Sequence, residues 1–301
     1  MFLSACLRED PPMKAPILLP VAAALFLLAA CGSPKPVGAI PVFPDREAPD
    51  HRHHAYSMTE NPDGTIRIYT QEDGDTAWLY EMHRTGDGWS EPARMDLPAR
   101  KRLKGASFSR EDGALYFATD ALLPEQTRGK DLNIWRVEWN GSAWGEPRPI
   151  AGNVNSGADE TIASVAADGT MIFVSNHPDA DGYGYGLGEA HRDETGAWTV
   201  TRFLTDLNDV RTDDHAVITA DGQRLFFYSH RSPKVGSTDI WTSARQADGT
   251  WSAPENPGPP LNSEEAEFGP GLSGDGKTLF FSRGGVLMEI GMDEALKGLQ
   301  R

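Results

Sequence analysis

An Asp-Gly pair recurs at Asp63, Asp112, Asp168, Asp221 and Asp275, at intervals of 49, 56, 53 and 54 residues. A period of that size confines the chain to architectures that stack one supersecondary unit several times. After each pair comes an apolar, β-rich run: IRIYT, ALYFAT, MIFVS, RLFFYS and TLFFS. Before four of the pairs lies another: ASFS, IASVA, HAVIT and FGPGLS. Asp-Gly between two such runs is a hairpin signal, and it predicts type I′ turns with both central residues at φ > 0.

The second half of the unit repeats too. Leu79-Tyr80, Ile134-Trp135 and Ile240-Trp241 open a third strand, and Trp89, Trp144 and Trp251 follow in WSEP, WGEP and WSAP. Turn clusters TGDG, NGS and ADG stand between them. Copy three keeps Leu187 and Trp198 at this spacing but has Gly188 where the third-strand aromatic belongs. Four strands in roughly fifty residues make a propeller blade. The repeats therefore predict an all-β chain, a β-propeller of four-stranded blades, with five blades favoured and six as the alternative. Copy five has a third strand at VLMEIG (286–291), then a helix-like MDEALKGLQR in place of a fourth. AIPVF (39–43) is the segment available to close the ring.

GTWSAPENPGPPLNSEEAEFGPGLSGDGKTLFFSR (249–283), with STDIW at 237–241, resembles the TolB-type, WD40-like β-propeller repeat. The resemblance runs through the repeats and is most specific in copies two, four and five. It implies a propeller with a binding or scaffolding role, and it implies no particular ligand.

Upstream, residues 17–30 read ILLPVAAALFLLAA after Lys14. The run is too short to span a bilayer as a helix and suits the apolar part of a signal peptide. It ends in Leu28-Ala29-Ala30-Cys31-Gly32, which resembles a bacterial lipobox and implies a diacylated Cys31 as the mature N-terminus. Residues 1–30 are thus expected to be a signal peptide, starting at Met13 because Arg8, Glu9 and Asp10 do not suit one. Residues 31–50 are expected to be the lipidated cysteine and a tether stiffened by prolines 34, 36, 41, 44 and 49, and residues 51–301 the propeller. Gly32, rather than Asp, after the cysteine points to the outer membrane, with the domain facing the periplasm.

A formal charge of −16 and a pI near 4.9 argue against a nucleic-acid partner, which needs a basic stripe. Membrane contact is expected through the lipid alone. With only Cys6 and Cys31, neither a disulfide framework nor a thiolate metal site is expected. HExxH, GxSxG, a P-loop and a dinucleotide fingerprint are missing, which points away from the common enzyme classes and predicts no cofactor. His51, His53 and His54 read as a solvated cluster, and Asp179-Ala180-Asp181-Gly182 as an ordinary turn.

Strand polarity sorts the remaining candidates. Eight residues before the Asp-Gly pairs stand Glu160, Asp213 and Glu267, with Ala55 and Lys104 in copies one and two. First strands line the channel of a propeller, so three carboxylates are expected to converge at one mouth. Second strands end on that face with His177, His230, Arg231 and Arg283. These seven are the candidate ligand-binding residues; the alternative is that the acids pair with arginines of neighbouring blades and are structural. The functional expectation is an envelope lipoprotein that binds or scaffolds a protein partner or small ligand. The alternative is a glycosidase-like hydrolase, which would need two carboxyl groups about 5–5.5 Å or about 6.5–9.5 Å apart.

Overall fold

The structure, a computed structural model, describes residues 38–43, 54–124, 126–180, 184–209 and 213–300. Cys31, the apolar run before it, and His51 and His53 lie outside the described residues. The repeats form five antiparallel sheets in a ring. Blade one holds Ala55–Glu60, Ile66–Asp73 and Thr76–Thr85, with Gly88–Trp89 and Ala93–Arg94 at its outer edge. Blade two is Leu103–Phe108, Leu115–Thr119, Asn133–Val137 and Arg148–Pro149; blade three is Glu160–Val165, Met171–Ser175, Gly186–Arg192 and Trp198–Phe203. Blade four is Asp213–Ile218, Arg224–Ser229 and Asp239–Ala244, its outer position filled by bridges from Thr242 to Glu255 and Arg245 to Trp251. Blade five is Glu267–Leu272, Thr278–Arg283 and Val286–Gly291.

Five blades form the ring, so the six-blade alternative is set aside. Ile40–Pro41 pairs with Val286–Gly291 and supplies the outer strand of blade five, the closure expected of AIPVF. A short helix, Met292–Ala295, and a 3-10 turn, Lys297–Gln300, follow the last strand.

The blades pack through one repeated position on each second strand. Tyr69, Phe117, Phe173, Phe227 and Phe281 lie opposite Tyr80, Trp135, Gly188, Trp241 and Met288 of the third strands. All five second-strand rings are buried between neighbouring sheets, each contributing about 1.5–3 kcal/mol. Gly188 breaks the pattern: a Cβ there would lie 2.3 Å from the Phe173 ring. The tryptophans beside the outer turns join the cores between blades, Trp198 in one cluster with Ile134 of blade two and Trp251 in one with Leu187 of blade three, and arginines of their own blades, Arg192 and Arg245, lie over them.

The Asp-Gly turns differ from the type I′ expectation. Their glycines have φ of 68°, 72°, 81°, 70° and 69°, but among the described residues the non-glycine positions with positive φ are Ser57 and His215. The aspartates are therefore not left-handed. In the first turn Asn61 accepts from the Thr65 N–H (2.8 Å); in the other four the aspartate side chain instead accepts the backbone N–H two residues on, as in Asp168 to Thr170 (2.9 Å) and Asp275 to Lys277 (3.0 Å). This is an Asx turn inside a longer loop that ends in a left-handed glycine. All five turns lie on one face, where neighbours touch: Ala167 N–H donates to Ala220 O (2.9 Å), and Gly274 N–H to Glu60 Oε1 (3.0 Å).

Candidate functional site

On the opposite face, blades three to five begin with the same small device. An asparagine five residues before each inner-strand acid clamps the third strand of the preceding blade by its main chain. Asn155 Oδ1 accepts from Ile134 N–H (2.7 Å) while its Nδ2 donates to Ile134 O (3.0 Å); Asn208 does the same to Leu187, and Asn262 to Ile240. The next residue then turns back to the acid. Ser156 donates N–H and Oγ–H to Glu160, Ser263 does so to Glu267, and Asp209 donates its N–H to Asp213. The signal was present in the sequence as Asn155 to Glu160, Asn208 to Asp213 and Asn262 to Glu267, a fixed spacing missed because only the acids were aligned.

Glu160, Asp213 and Glu267 are each wholly buried, and they do not converge. Each is enclosed by its own blade. Arg231 Nη2 donates to Asp213 Oδ2 (2.7 Å) and Leu207 O (2.7 Å), its Nε donates to Ser229 Oγ (3.0 Å), and its guanidinium covers Phe227 and Trp241. Arg283 Nε donates to Glu267 Oε1 (2.7 Å) and Nη2 to Leu261 O (2.9 Å), over the Phe281 ring. Burial pushes both carboxyls up; Arg231 opposes it at Asp213, and the Ser263 hydrogen bonds and then Arg283 oppose it at Glu267. The partners belong to the same blade, not to a neighbouring one as the structural alternative supposed.

Among the described residues, blade three places no such cation beside Glu160. His177 holds the place of Arg231, two residues past the serine that ends the second strand, and its ring stacks on Phe203 (5.5 Å, 7°). Glu160 keeps hydrogen bonds from Ser156 and Ser175 and lines a cavity of about 180 Å³ with Val154, Phe173, His177, Val200 and Phe203. Burial, with the Asp159 charge adding to it, pushes the Glu160 carboxyl up to about 7 against the hydrogen bonds from Ser156 and Ser175. Of the seven candidates, the structure thus brings together Glu160 with His177, Asp213 with Arg231, and Glu267 with Arg283. His230 stands apart, exposed and edge-on to Tyr228.

Two sequence expectations shift with the register. Residues along a strand alternate between faces. The acids turn into the blades, so the residues after them turn to the ring axis: Tyr56, Lys104, Thr161, Asp214 and Phe268. Lys104 was taken as blade two's counterpart of Glu160, but Leu103 pairs with Thr119 at that position. Lys104 instead contributes to the axial cluster. There Thr161 Oγ1 donates to Asp214 Oδ1 (3.1 Å), and Tyr56 meets His215 (5.1 Å, edge-on) and Phe268 (5.8 Å). Blades one and four are not neighbours, so the contact of Tyr56 with His215 spans the axis.

Every inner strand is bulged beside this cluster. Gly105 and Gly269 take the left-handed bulge position at φ 65° and 60°, whereas Ser57 and His215 take it, both at 49°, with a side chain. Such a residue costs about 1–3 kcal/mol. His215 is 6% exposed and donates its N–H to Asp214 Oδ1 (2.6 Å); its ring Nδ1 lies 3.3 Å from the same oxygen as an ion pair, while Nε2 has no hydrogen-bond partner among the described residues. Burial would raise Asp214, but His215 and Lys104 outweigh it and hold the carboxyl below its ordinary range. Burial and the Asp214 charge push the Tyr228 hydroxyl up. At the far end Arg110 donates to the carbonyls of Leu272, Ser273 and Gly274, which closes the turn face. Where the inner strands begin, the described residues Glu72, Arg102, Asp159, Tyr185, Tyr228 and Phe268 are half-buried and make a polar and aromatic rim, the bowl, in which Tyr185 donates to Asp159 (3.1 Å) and Tyr228 meets Phe268 (6.4 Å). Among the described residues no three His, Cys, Asp or Glu side chains converge as a metal site.

Comparison with known proteins supports the architecture. No family model matches the chain, and no curated protein matches it. Among solved structures, it is similar to a glycoside hydrolase at 11% identity and TM-score 0.53, over 78% of this chain and 84% of that one. It is similar to a protein of unknown function from Dyadobacter fermentans at 12% identity and TM-score 0.50, over 82% and 78%. A protein designated TolB from Agrobacterium tumefaciens aligns at 16% identity and TM-score 0.48, over 80% and 78%. At these identities the likeness is one of fold.

Proposed function

We propose that this protein is a binding module whose bowl, on the face where the inner strands begin, takes a polar ligand or side chains of an envelope protein. We further propose that an acylated Cys31 holds it in the envelope, at the outer membrane facing the periplasm. The observation that carries the binding reading is His215. Its Nδ1 pairs with Asp214, but its buried Nε2 has no hydrogen bond among the described residues, which costs about 1–3 kcal/mol, and the left-handed φ adds to that. The position retains both beside Asp214, under a bowl to which all five blades contribute. A hydrogen-bonding ligand at the bowl gives that arrangement a use.

The test places a photo-crosslinking residue at His230, beside the bowl, or at Asn140, an exposed turn residue away from it, in the lipidated protein within its native envelope. Adducts from position 230 that are absent from position 140, and are lost in His215→Asn, are expected. Equal yields from both positions would remove the reading. The anchor is tested separately: the mature N-terminal peptide should carry a diacylglyceryl group on Cys31.

One observation favours the hydrolase reading, namely the Glu160 carboxyl near 7, where a general acid works well. Against it, Glu160 is the one carboxylate among the described residues that line its cavity, while Asp213 and Glu267 are occupied by arginines. Turnover of chromogenic glycosides at pH 6–7 that disappears in Glu160→Gln would establish it.

A further inference from the structure

We propose that the blade-three cavity binds a guanidinium group, carried by a free small molecule or by a partner's arginine side chain, where blades four and five place their own arginine. The argument is internal to the molecule. In blade four the guanidinium meets a carboxylate (Asp213), the carbonyl of the residue before the clamping asparagine (Leu207), a serine hydroxyl (Ser229) and the face of Phe227. In blade five it meets Glu267, the equivalent carbonyl of Leu261, and Phe281. Blade three presents the same set in the same register: Glu160, Val154 before Asn155, Ser175 opposite Glu160, and Phe173.

What it lacks is the occupant. His177 replaces Arg231 and leans against Phe203, and Gly188 replaces the Trp241 that walls the guanidinium in blade four. Together these exchanges leave the cavity of about 180 Å³ beside the one buried acid of the three that meets no cation among the described residues. A planar cation that bonds in its plane to carboxylate and carbonyl, and stacks through its face, fits this lining better than a compact ammonium. The raised Glu160 carboxyl agrees, since a buried acid without a cation favours its neutral form. The cavity shares no lining residue with the bowl, and its test does not depend on the bowl's ligand.

The experiment titrates the folded protein with methylguanidinium and, separately, with acetyl-arginine methylamide, followed by calorimetry and by NMR of the Phe203 and His177 side chains. Saturable binding that shifts both resonances is expected, and ethylammonium should bind at least tenfold more weakly. Binding of both guanidinium probes indicates that a partner's arginine fits; binding of methylguanidinium alone indicates a free small cation. Glu160→Gln should weaken binding at least tenfold. His177→Arg should supply the blade's own guanidinium, raise the melting temperature and abolish probe binding. Absence of saturable binding to the native chain, or unchanged binding in His177→Arg, would overturn the proposal.

Discussion

Blades three and four begin with the same strand, the same clamping asparagine and a wholly buried acid at the same register, yet they treat that acid differently. Blade four surrounds Asp213 with Arg231, stacked between Phe227 and Trp241. Blade three surrounds Glu160 with two serines and a cavity. The frame around each acid is made of main chain and short side chains that every blade can supply. The cation comes from the end of the second strand and its wall from the third, so two exchanges, His177 for Arg231 and Gly188 for Trp241, separate a closed ion pair from an open polar pocket. In a repeat protein, a site can therefore arise where one copy omits a structural residue that its neighbours keep.

The largest expected effect breaks the closed side. Arg231→Ala leaves Asp213 buried and uncompensated and should cost about 3–5 kcal/mol in urea unfolding. His177→Ala, at the same register, should cost about 1 kcal/mol or less, since it removes one half-exposed stacked ring. Equal losses would mean that the two positions are not the contrasting pair described here.

Next in size is the pH dependence of the open side. Glu160 rises from 4.5 to about 7 on folding, so between those pH values the folded state binds more protons than the unfolded one. Its stabilising contribution is full below about pH 4.5 and is lost as pH rises through about 7, up to roughly 3 kcal/mol as an order of magnitude. Asp159 and His177 face the same group, so the comparison is made against Glu160→Gln, which keeps their contributions and loses this one. Urea midpoints of the native chain should fall from pH 5 to pH 8 by more than those of the variant.

A smaller effect separates the serines. Ser229→Ala removes the hydroxyl that accepts from Arg231, a charge-assisted bond, and should cost about 1.5–3 kcal/mol. Ser175→Ala removes a donor to a carboxyl that is half neutral near pH 7 and should cost about 1 kcal/mol. The smallest effect is expected at the bowl. His215→Asn keeps a residue that tolerates left-handed φ, so its stability should change by less than about 1 kcal/mol. A large loss there would make His215 a structural residue and weaken the binding reading.

Much of the fold was legible because it is periodic. The Asp-Gly pairs, the apolar runs and the outer tryptophans fix the blades, and the unfinished fifth copy pointed to Ile40–Pro41 as the closing strand. The acids were found for the same reason. What stayed hidden depends on parity and on single contacts. Asp213 and Asp214 are adjacent in sequence, and only the pleat decides that the first enters the blade and the second reaches the axis, so the axial cluster of Tyr56, Asp214 and His215 was missed. The turns also differ in length: Asp112 stands three residues after Ser109, just past its strand's end, but Asp168 only two after Ala166, which is why Leu103 and not Lys104 matches Glu160. The turn type was misjudged because Asp-Gly serves an Asx turn as readily as a type I′ turn, and loop length decides between them.

The most direct test of the contrast between the blades is the titration of Glu160 itself. Side-chain carboxyl resonances of the 13C-labelled protein, assigned through Glu160→Gln, can be followed from pH 3 to pH 9. A midpoint near 7 is expected, with a shift to lower pH when methylguanidinium is added. A Glu160 midpoint near 4.5, unmoved by the cation, would show that blade three neutralises its acid as well as its neighbours do, and would contradict the account.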